Sequence, residues 1–383
     1  MKNNVTRLLF IILLVIVALY IYVYSTGGNF KYVFFAPRNS VNFTSTPSVI
    51  QKEAGNPIEV IAENLNIPWE IAVLPGGDLL VTERSGQLLK IGAETKIISK
   101  IAGIKHIGEG GLLGLALHPD FSNNHYIYLY STTQDSRGIS NRVERYLFSD
   151  DTLTGRRIIL ENIQGSSNHD GGRIAFGPDG YLYITTGDAE KRESAQDKNS
   201  LNGKILRVAD DGGIPSDNPF GNAVYSFGHR NPQGLAWDSK GTLWVSEHGP
   251  SGPQTGYDEI NRIVKGGNYG WPVIKGDEKK EGMIAPVIHS GSEDTWAPSG
   301  MAYNNGSLFF SGLRGETLYQ GSIGSDDSMS LHTHLSREYG RLRAVVASSD
   351  GYLYVSTSNT DGRGKPKSGD DKIIKINLTK YSL

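Results

Sequence analysis

The chain has 383 residues with 38 basic and 40 acidic side chains, a net charge of −2, and no basic stripe with interleaved aromatics, so nucleic acid is not among its expected partners. It has no cysteine, which excludes disulfides, thiolate nucleophiles, Cys-ligated zinc and iron–sulfur clusters. With 47 glycines, more Tyr (19) than Phe (12) and 38% hydrophobic content, it reads as many short strands and turns around a large core.

The first element in chain order is an uninterrupted apolar run, Leu8 to Tyr24, preceded by Lys2 and Arg7. It is long enough to be a transmembrane helix. No clean small-x-small cleavage site follows, which favours an uncleaved signal anchor over a cleaved signal peptide. The basic pair before the span predicts a cytoplasmic N-terminus. The expectation is a membrane-anchored protein whose body is extracytoplasmic, periplasmic or at the cell surface, and secreted if the segment is cleaved. Residues 25–56 are polar and rich in Pro, Ser and Asn, as suits a tether. The folded body is expected at 57–383.

That body repeats itself. An apolar strand, a turn of Gly, Asp, Pro or Asn, and an aromatic-rich strand ending in polar residues recur six times: IPWEIAVLPGGDLLVTER (67–84), GLLGLALHPDFSNNHYIYLYSTT (111–133), GGRIAFGPDGYLYITTGDA (171–189), PQGLAWDSKGTLWVSEHGP (232–250), PSGMAYNNGSLFFSGLRG (298–315) and RAVVASSDGYLYVSTSN (343–359). The alternation has period 2 and the turns are those of hairpins. Units of roughly 45 to 65 residues, each worth about four strands, match propeller blades better than helical solenoids. The predicted fold is therefore all-β, a six-bladed β-propeller, preceded by one N-terminal transmembrane helix or signal anchor. Ile58–Asn64 is a spare strand able to complete the last blade and latch the ring, whose closure removes exposed edges. A β-sandwich is the other architecture, though it has no need of six similar motifs.

A propeller brings equivalent ends of its repeats to one face, so polar clusters distant in sequence can share a pocket. SSNHDGGR (166–173) puts His169 on a loop before a strand, between Asn168 and Asp170. Such a histidine serves as a general base oriented by a carboxylate, or is an ordinary loop residue. GHRNPQG (228–234) offers Arg230 and Asn231 beside Pro232, either to grip a planar anion or to brace a turn. The stretch from Glu247 to Pro272 is oxygen-rich. Asp258, Glu259 and carbonyls around Gly249, Pro250 and Tyr269 can form a hard-cation site, or Asp258-Glu259 is a solvated strand start. Arg314, Arg341 and Arg343 stand at matching ends of the last two repeats, where three arginines suit an anionic ligand. GEGGLLG (108–114) lacks the GxGxxG spacing and runs into a strand, so it is no dinucleotide site; no P-loop or GxSxG elbow occurs.

GEGGLLGLALHPDF, NHDGGRIAFGPDG, NGKILRV with GGIPSDNPF, GHRNPQGLAW, SEHGP with DEIN, GGNYGWP and GRLRAVV follow one another in this order. In this the chain resembles the pyrroloquinoline-quinone (PQQ)-dependent soluble-type sugar dehydrogenases, the glucose/sorbosone and aldose sugar dehydrogenases, over about residues 57–378. The resemblance implies PQQ and Ca2+ as cofactors, an aldose oxidised at its anomeric hydroxyl to the lactone, and an external electron acceptor. It implies His169 as the catalytic base and Glu109, Arg230, Asn231, Arg314, Arg341 and Arg343 as cofactor contacts. The carbonyls of Gly249 and Pro250 would hold the catalytic calcium, and Glu259 with the Tyr269 carbonyl a structural one. His229 and His248 are expected to be structural. Glu109 stands where the resemblance places a glutamine, Arg314 where it places a lysine, and Asn168 where some members have an acid. A carboxylate at 109 must be protonated or turned away from the cofactor. Two other functions compete: a calcium-dependent lactonase-type hydrolase with metal on Glu247, Asp258 or Glu259, and a non-catalytic carbohydrate-binding propeller.

Overall fold

The computed structural model describes residues 56–250, 256–326 and 328–381. These build six four-stranded antiparallel sheets, the blades of a propeller. Blade 1 comprises β2–β5, from Pro68 to Lys100, and blade 2 comprises β6–β9, from Leu112 to Gln164. Blade 3 comprises β10–β13, from Ile174 to Phe227, and blade 4 β14–β17, from Pro232 to His289. Blade 5 comprises β18–β21, from Pro298 to His334. Blade 6 takes β22 (Leu342–Ala347), β23 (Tyr352–Thr357) and β24 (Ile373–Asn377) and borrows β1 (Ile58–Ala62) as its outermost strand. The latch is antiparallel, with Ile58 opposite Ile376 and Val60 opposite Ile374. The six repeats and the spare strand are thus as the alternation predicts.

The apolar faces of the sheets meet in six clusters, one in each gap between adjacent blades. Tyr128, Tyr130, Ile184 and Leu206 fill the gap between blades 2 and 3. Trp244, Met301, Phe310 and Tyr319 fill that between 4 and 5, where Phe310 stacks on Tyr319 at 4.9 Å. Each sheet is therefore buried on both faces, which explains why its strands read as near-continuous apolar runs in places. Among the described residues no helix is long and apolar enough to cross a membrane. The span read at Leu8–Tyr24 lies outside the described residues.

One irregularity positions the site. Register slips at the start of the innermost strand in five blades: at Pro68/Glu70, Leu112/Leu115, Pro232/Gly234, Pro298/Met301 and Leu342/Val345. An extra residue there bends the strand and re-aims the side chains beside it. All five slips fall at the same end of the ring, the end that carries His169, Arg230 and Arg343. Below them the channel is closed by side chains. Arg173 pairs with Glu70, donates Nε–H to the Gln233 carbonyl at 2.8 Å and lies over the Trp69 ring at 4.2 Å. Beyond this plug the channel flares into a cavity of about 650 Å³ walled mainly by the apolar far ends of the same strands, Leu117, Phe176, Trp237 and Tyr303 among them.

Candidate active site

His169 occupies the loop before β10 in a left-handed conformation, φ 62°. A non-glycine residue held there is strained and must be fixed by its surroundings. Two glycines let those surroundings close in. A Cβ on Gly187 would lie 1.9 Å from the His169 carbonyl oxygen, and one on Gly108 would lie 1.8 Å from that of Ser167. Only glycine fits either place, and each is followed by an acid, Asp188 and Glu109, delivered to the histidine loop.

Asp188 takes the side chain. His169 Nδ1 lies 2.7 Å from Asp188 Oδ1, while Asp188 Oδ2 accepts from Trp271 Nε1 at 2.8 Å. Burial opposes charge on Asp188, but the bonds to His169 and Trp271 and the nearby Arg230 outweigh it and hold the carboxyl below its ordinary range. An ionised Asp188 can only accept, so Nδ1 carries the proton and Nε2 keeps the lone pair, the tautomer a base needs. The Asp188 side chain is wholly buried whereas that of His169 is 17% exposed, so the orienting group is shielded and the base is reachable.

Glu109 takes the backbone. Its Oε2 accepts the His169 amide at 2.9 Å and Asn231 Nδ2 at 3.3 Å, and its Oε1 accepts Arg363 Nη1 at 3.1 Å. Burial works against ionisation, but Arg363, His169 and His248 more than offset it and keep the carboxyl well below the usual range. The carboxylate expected to meet a cofactor is instead turned to Arg363 and to the base's own backbone. Asp170, the neighbour read as orienting His169, does not do so: its carboxyl accepts Asn141 Nδ2 at 2.9 Å and the Ser166 amide at 3.2 Å, and its Oδ2 has no partner.

Burial pushes Asp170 up to about 7. A carboxyl raised in the fold adds stability below its unfolded value, near 4, and loses it as pH rises through about 7. We expect Asp170→Asn, which keeps the acceptor and removes the charge, to lessen the fall in the urea midpoint between pH 5 and pH 8. The difference at pH 8 should be on the order of a few kcal/mol. Parallel pH profiles of the two proteins would contradict the assignment.

The arginines gather across the channel from His169. Arg341 donates through Nε and Nη2 to Asp361 Oδ2 at 3.1 and 2.9 Å, and Arg343 Nη2 stands 3.9 Å from the same oxygen. Arg343 also reaches Ser358 Oγ at 3.2 Å and Gln233 Oε1 at 3.3 Å. Arg84 is buried, donates to the Gly108 carbonyl and leaves Nε without a partner. Burial, aided by repulsion from Arg84, lowers Arg343 to about 9, and burial lowers Arg84 to about 10. Asp361 is held at about 2, since Arg341, Arg343 and Arg84 overcome its burial. Three buried guanidinium groups, at 84, 341 and 343, and the exposed one of Arg363 thus share the carboxylates of Asp361 and Glu109. The excess of buried positive charge is the signature of a site for an anion.

Arg230 and Asn231 lie between the two halves. Arg230 is buried, its amide bonded to Glu247 and its guanidinium 5.4 Å from the Trp271 ring centroid. Asn231 Oδ1 accepts the Gly171 amide at 3.1 Å, tying it to the histidine loop. His229 is fully buried, bonded to Glu247 and Ser226 at 2.8 and 2.9 Å, and stacked on Tyr269 at 4.7 Å. Arg314 stands apart. Its side chain is exposed, and only its neighbour Leu313 touches the cluster, by accepting from Arg341 Nη1 at 3.1 Å.

In the oxygen-rich stretch, Asp258 is fully engaged: Oδ1 accepts the Gly249 amide at 2.8 Å, and Oδ2 accepts Thr295 Oγ1, Trp296 N and Ala297 N at 2.7–2.8 Å. Glu247 is spent on His229 and Arg230. Glu259 faces Glu247 directly across the pair of β15 (Leu243–Glu247) and β16 (Glu259–Ile263), and burial together with Glu247 pushes it up to about 8. Among the described residues no hydrogen-bond donor reaches the carbonyls of Gly249, Pro250 or Tyr269. The same residues contain no cluster of three or more His, Asp or Glu side chains placed to hold a metal.

Asp188, Trp271, Arg84, Asp361 and Arg363 are the site residues that the reading of the sequence does not single out. A signal for the acids exists: in four repeats the second strand ends in an acid or is followed by one within four residues, LLVTE, LYITTGD, LWVSE and LYVSTSNTD.

With this geometry in place, comparison with known proteins decides the family. Residues 65–373 match the glucose/sorbosone dehydrogenase family. The chain belongs to that family, and with it to the oxidoreductases. It is 34% identical over 340 residues to the aldose sugar dehydrogenase YliI of Escherichia coli K12, covering 80% of this chain and 91% of that protein. The PQQ-bound structure of an aldose sugar dehydrogenase from Streptomyces coelicolor is 41% identical, with a TM-score of 0.78 over 84% of this chain and 97% of its own. A structure described as an oxidoreductase (glucose dehydrogenase) from Thermus thermophilus is 42% identical, with a TM-score of 0.79 over 83% and 99%.

Proposed function

We propose that this member of the family is a PQQ-dependent aldose dehydrogenase that converts the anomeric hydroxyl of an aldose to the lactone and passes the electrons to an external acceptor. One observation carries the reading. A reachable histidine, set as a base by a buried aspartate, faces an excess of buried arginines in a chain 41% identical to a protein solved with PQQ bound.

The residues present fit that group. PQQ is a polycarboxylate, and Arg84, with an orphaned buried Nε, stands beside Arg341 and Arg343, all under-neutralised by Asp361. Arg341 and Arg343 would hold its carboxylates and Arg230 and Asn231 its flank; Arg314, exposed at the rim, would reach it only from outside. When bound, PQQ supplies the hydride acceptor that no protein side chain provides. His169 Nε2 takes the hydroxyl proton of the sugar, and Asp188 stabilises the imidazolium that results. Trp271 and Arg230 keep Asp188 ionised and in place.

Calcium fits by the chemistry of its donors. The carbonyls of Gly249 and Pro250, which no donor among the described residues reaches, would bind a hard cation next to Arg230, and Glu259, opposite Glu247, with the Tyr269 carbonyl would suit a second. The hydrolase reading is disfavoured because two of its three candidate carboxylates, Glu247 and Asp258, are consumed by His229, backbone amides and Thr295, which leaves Glu259 alone. A merely sugar-binding propeller has no use for the His169–Asp188 pair.

We further propose that the apolar run at 8–24 anchors the body to a membrane through the 25–56 tether, with the propeller extracytoplasmic; protease protection in spheroplasts would test it. The activity itself is tested by reconstituting the protein with PQQ and calcium and following dye reduction across a panel of aldoses. Turnover requiring both PQQ and sugar is expected. No PQQ-dependent reduction with any aldose would overturn the proposal.

A further inference from the structure

We propose that Glu109 and Arg363 act as one unit, a clasp that sets the backbone and the basicity of His169, and that Glu109 is a positioning residue and not a cofactor contact. The inference rests on the reading of His169 as the base, and concerns how that base is held.

The contacts lie on residues far apart in the chain. Arg363, on the loop after β23 of blade 6, sends Nη1 to Glu109 Oε1 at 3.1 Å and Nη2 to Asn168 Oδ1 at 3.0 Å. Its backbone amide is fixed on Asp361 Oδ1 at 2.9 Å, so the clasp is anchored to the arginine cluster. Glu109, from the loop before blade 2, passes the connection on to the His169 amide through Oε2. One guanidinium therefore grips both the residue before the base and the carboxylate that holds the base's N–H. That N–H belongs to a residue at φ 62°, a conformation the chain keeps only when its neighbours impose it.

Charge makes the two residues interdependent. Glu109 is almost buried, and Arg363 is the leading influence that keeps it ionised. With Arg363 present, the pair is neutral and the anionic cofactor meets no net charge there. Without it, an uncompensated carboxylate would stand beside His169 and repel a polycarboxylate. The charge of the acid at 109 is balanced because residue 363 is an arginine. The other charges facing His169 are Asp188 on its side chain, Arg230 and His248 across the mouth and Arg84 behind Glu109; Asp170 follows it in the chain. None of them bridges Asn168 and Glu109.

The test compares Arg363→Gln, Glu109→Gln, the double variant and Arg363→Lys. Two readouts need no turnover: NMR titration of the His169 ring in the protein without cofactor, and PQQ affinity from fluorescence quenching. Arg363→Gln should raise the His169 titration midpoint by about one pH unit and weaken PQQ about tenfold or more. The double variant should return both towards wild type, because two amides can replace an ion pair without leaving a charge. Arg363→Lys should keep the wild-type midpoint, since it keeps the charge. A double variant no better than Arg363→Gln, or a His169 midpoint that Arg363→Gln leaves unmoved, would overturn the clasp. Wild type that does not bind PQQ while the NMR titrations follow this pattern would sink the proposed cofactor and leave the clasp standing.

Discussion

His169→Ala should lose about 10³-fold or more in kcat with the best aldose while binding PQQ as tightly as wild type. General-base catalysis contributes about 10²–10⁴-fold, and here the base is also the group that Asp188 and Glu109 are arranged to hold. Its Nδ1 is committed to Asp188, so only Nε2 is left to meet substrate. His229 is locked between Ser226 and Glu247, and desolvation lowers the pKa of the half-buried His248 to about 4. Steady-state kinetics with a dye, alongside a PQQ titration of the same preparation, separate the two effects. Activity within tenfold of wild type would remove His169 from its role.

Arg343→Met should do the reverse. Arg343 is buried, its charge opposed by burial and by Arg84, and Asp361 is already satisfied by the closer Arg341. The apo protein therefore holds Arg343 at a cost, and a methionine of similar length resting on Trp69 relieves it. The expected result is an apo Tm equal to or above that of wild type, with PQQ affinity reduced about 10²-fold or more. Losing a buried charge partner of a bound anion costs about 2–5 kcal/mol. The stabilisation that PQQ confers on wild type should accordingly vanish at the same PQQ concentration. Thermal unfolding with and without PQQ reads both signs at once. A variant that unfolds early yet binds PQQ normally would make Arg343 a structural residue.

These two residues were legible in the sequence for different reasons. His169 lies in a polar motif directly before an apolar strand, and a six-fold repeat requires such strand starts to share one face. Arg343 opens the sixth repeat at the same relative place. The ring itself was legible because hairpin alternation and Asp/Gly turns are local signals, and β1 was visible as a strand left over from the count. What was not legible is what closure creates. Glu109, Asn168 and Arg363 meet only because blades 2, 3 and 6 are curled around one channel, and nothing near Arg363 in the chain marks it as a partner of residue 109. Asp188 was overlooked because Asp170, adjacent to His169, offered a nearer carboxylate. The glycine before Asp188 is what lets the more distant one win. Arg314 is a different case: repeat equivalence singles it out, and its side chain is exposed. The slipped registers that tilt the inner strand starts have no signature that alternation alone reveals.

The central claim is that the arginine-lined mouth binds PQQ where His169 can deprotonate a sugar. The most direct measurement is a single turnover without any acceptor: saturate the protein with PQQ and calcium, add aldose anaerobically, and record the cofactor's absorption spectrum by stopped flow. The account predicts stoichiometric bleaching of the oxidised cofactor in wild type and none on the same timescale in His169→Ala carrying the same amount of PQQ. Bleaching at equal rates in both proteins, or no bleaching in PQQ-saturated wild type with any aldose, would contradict it.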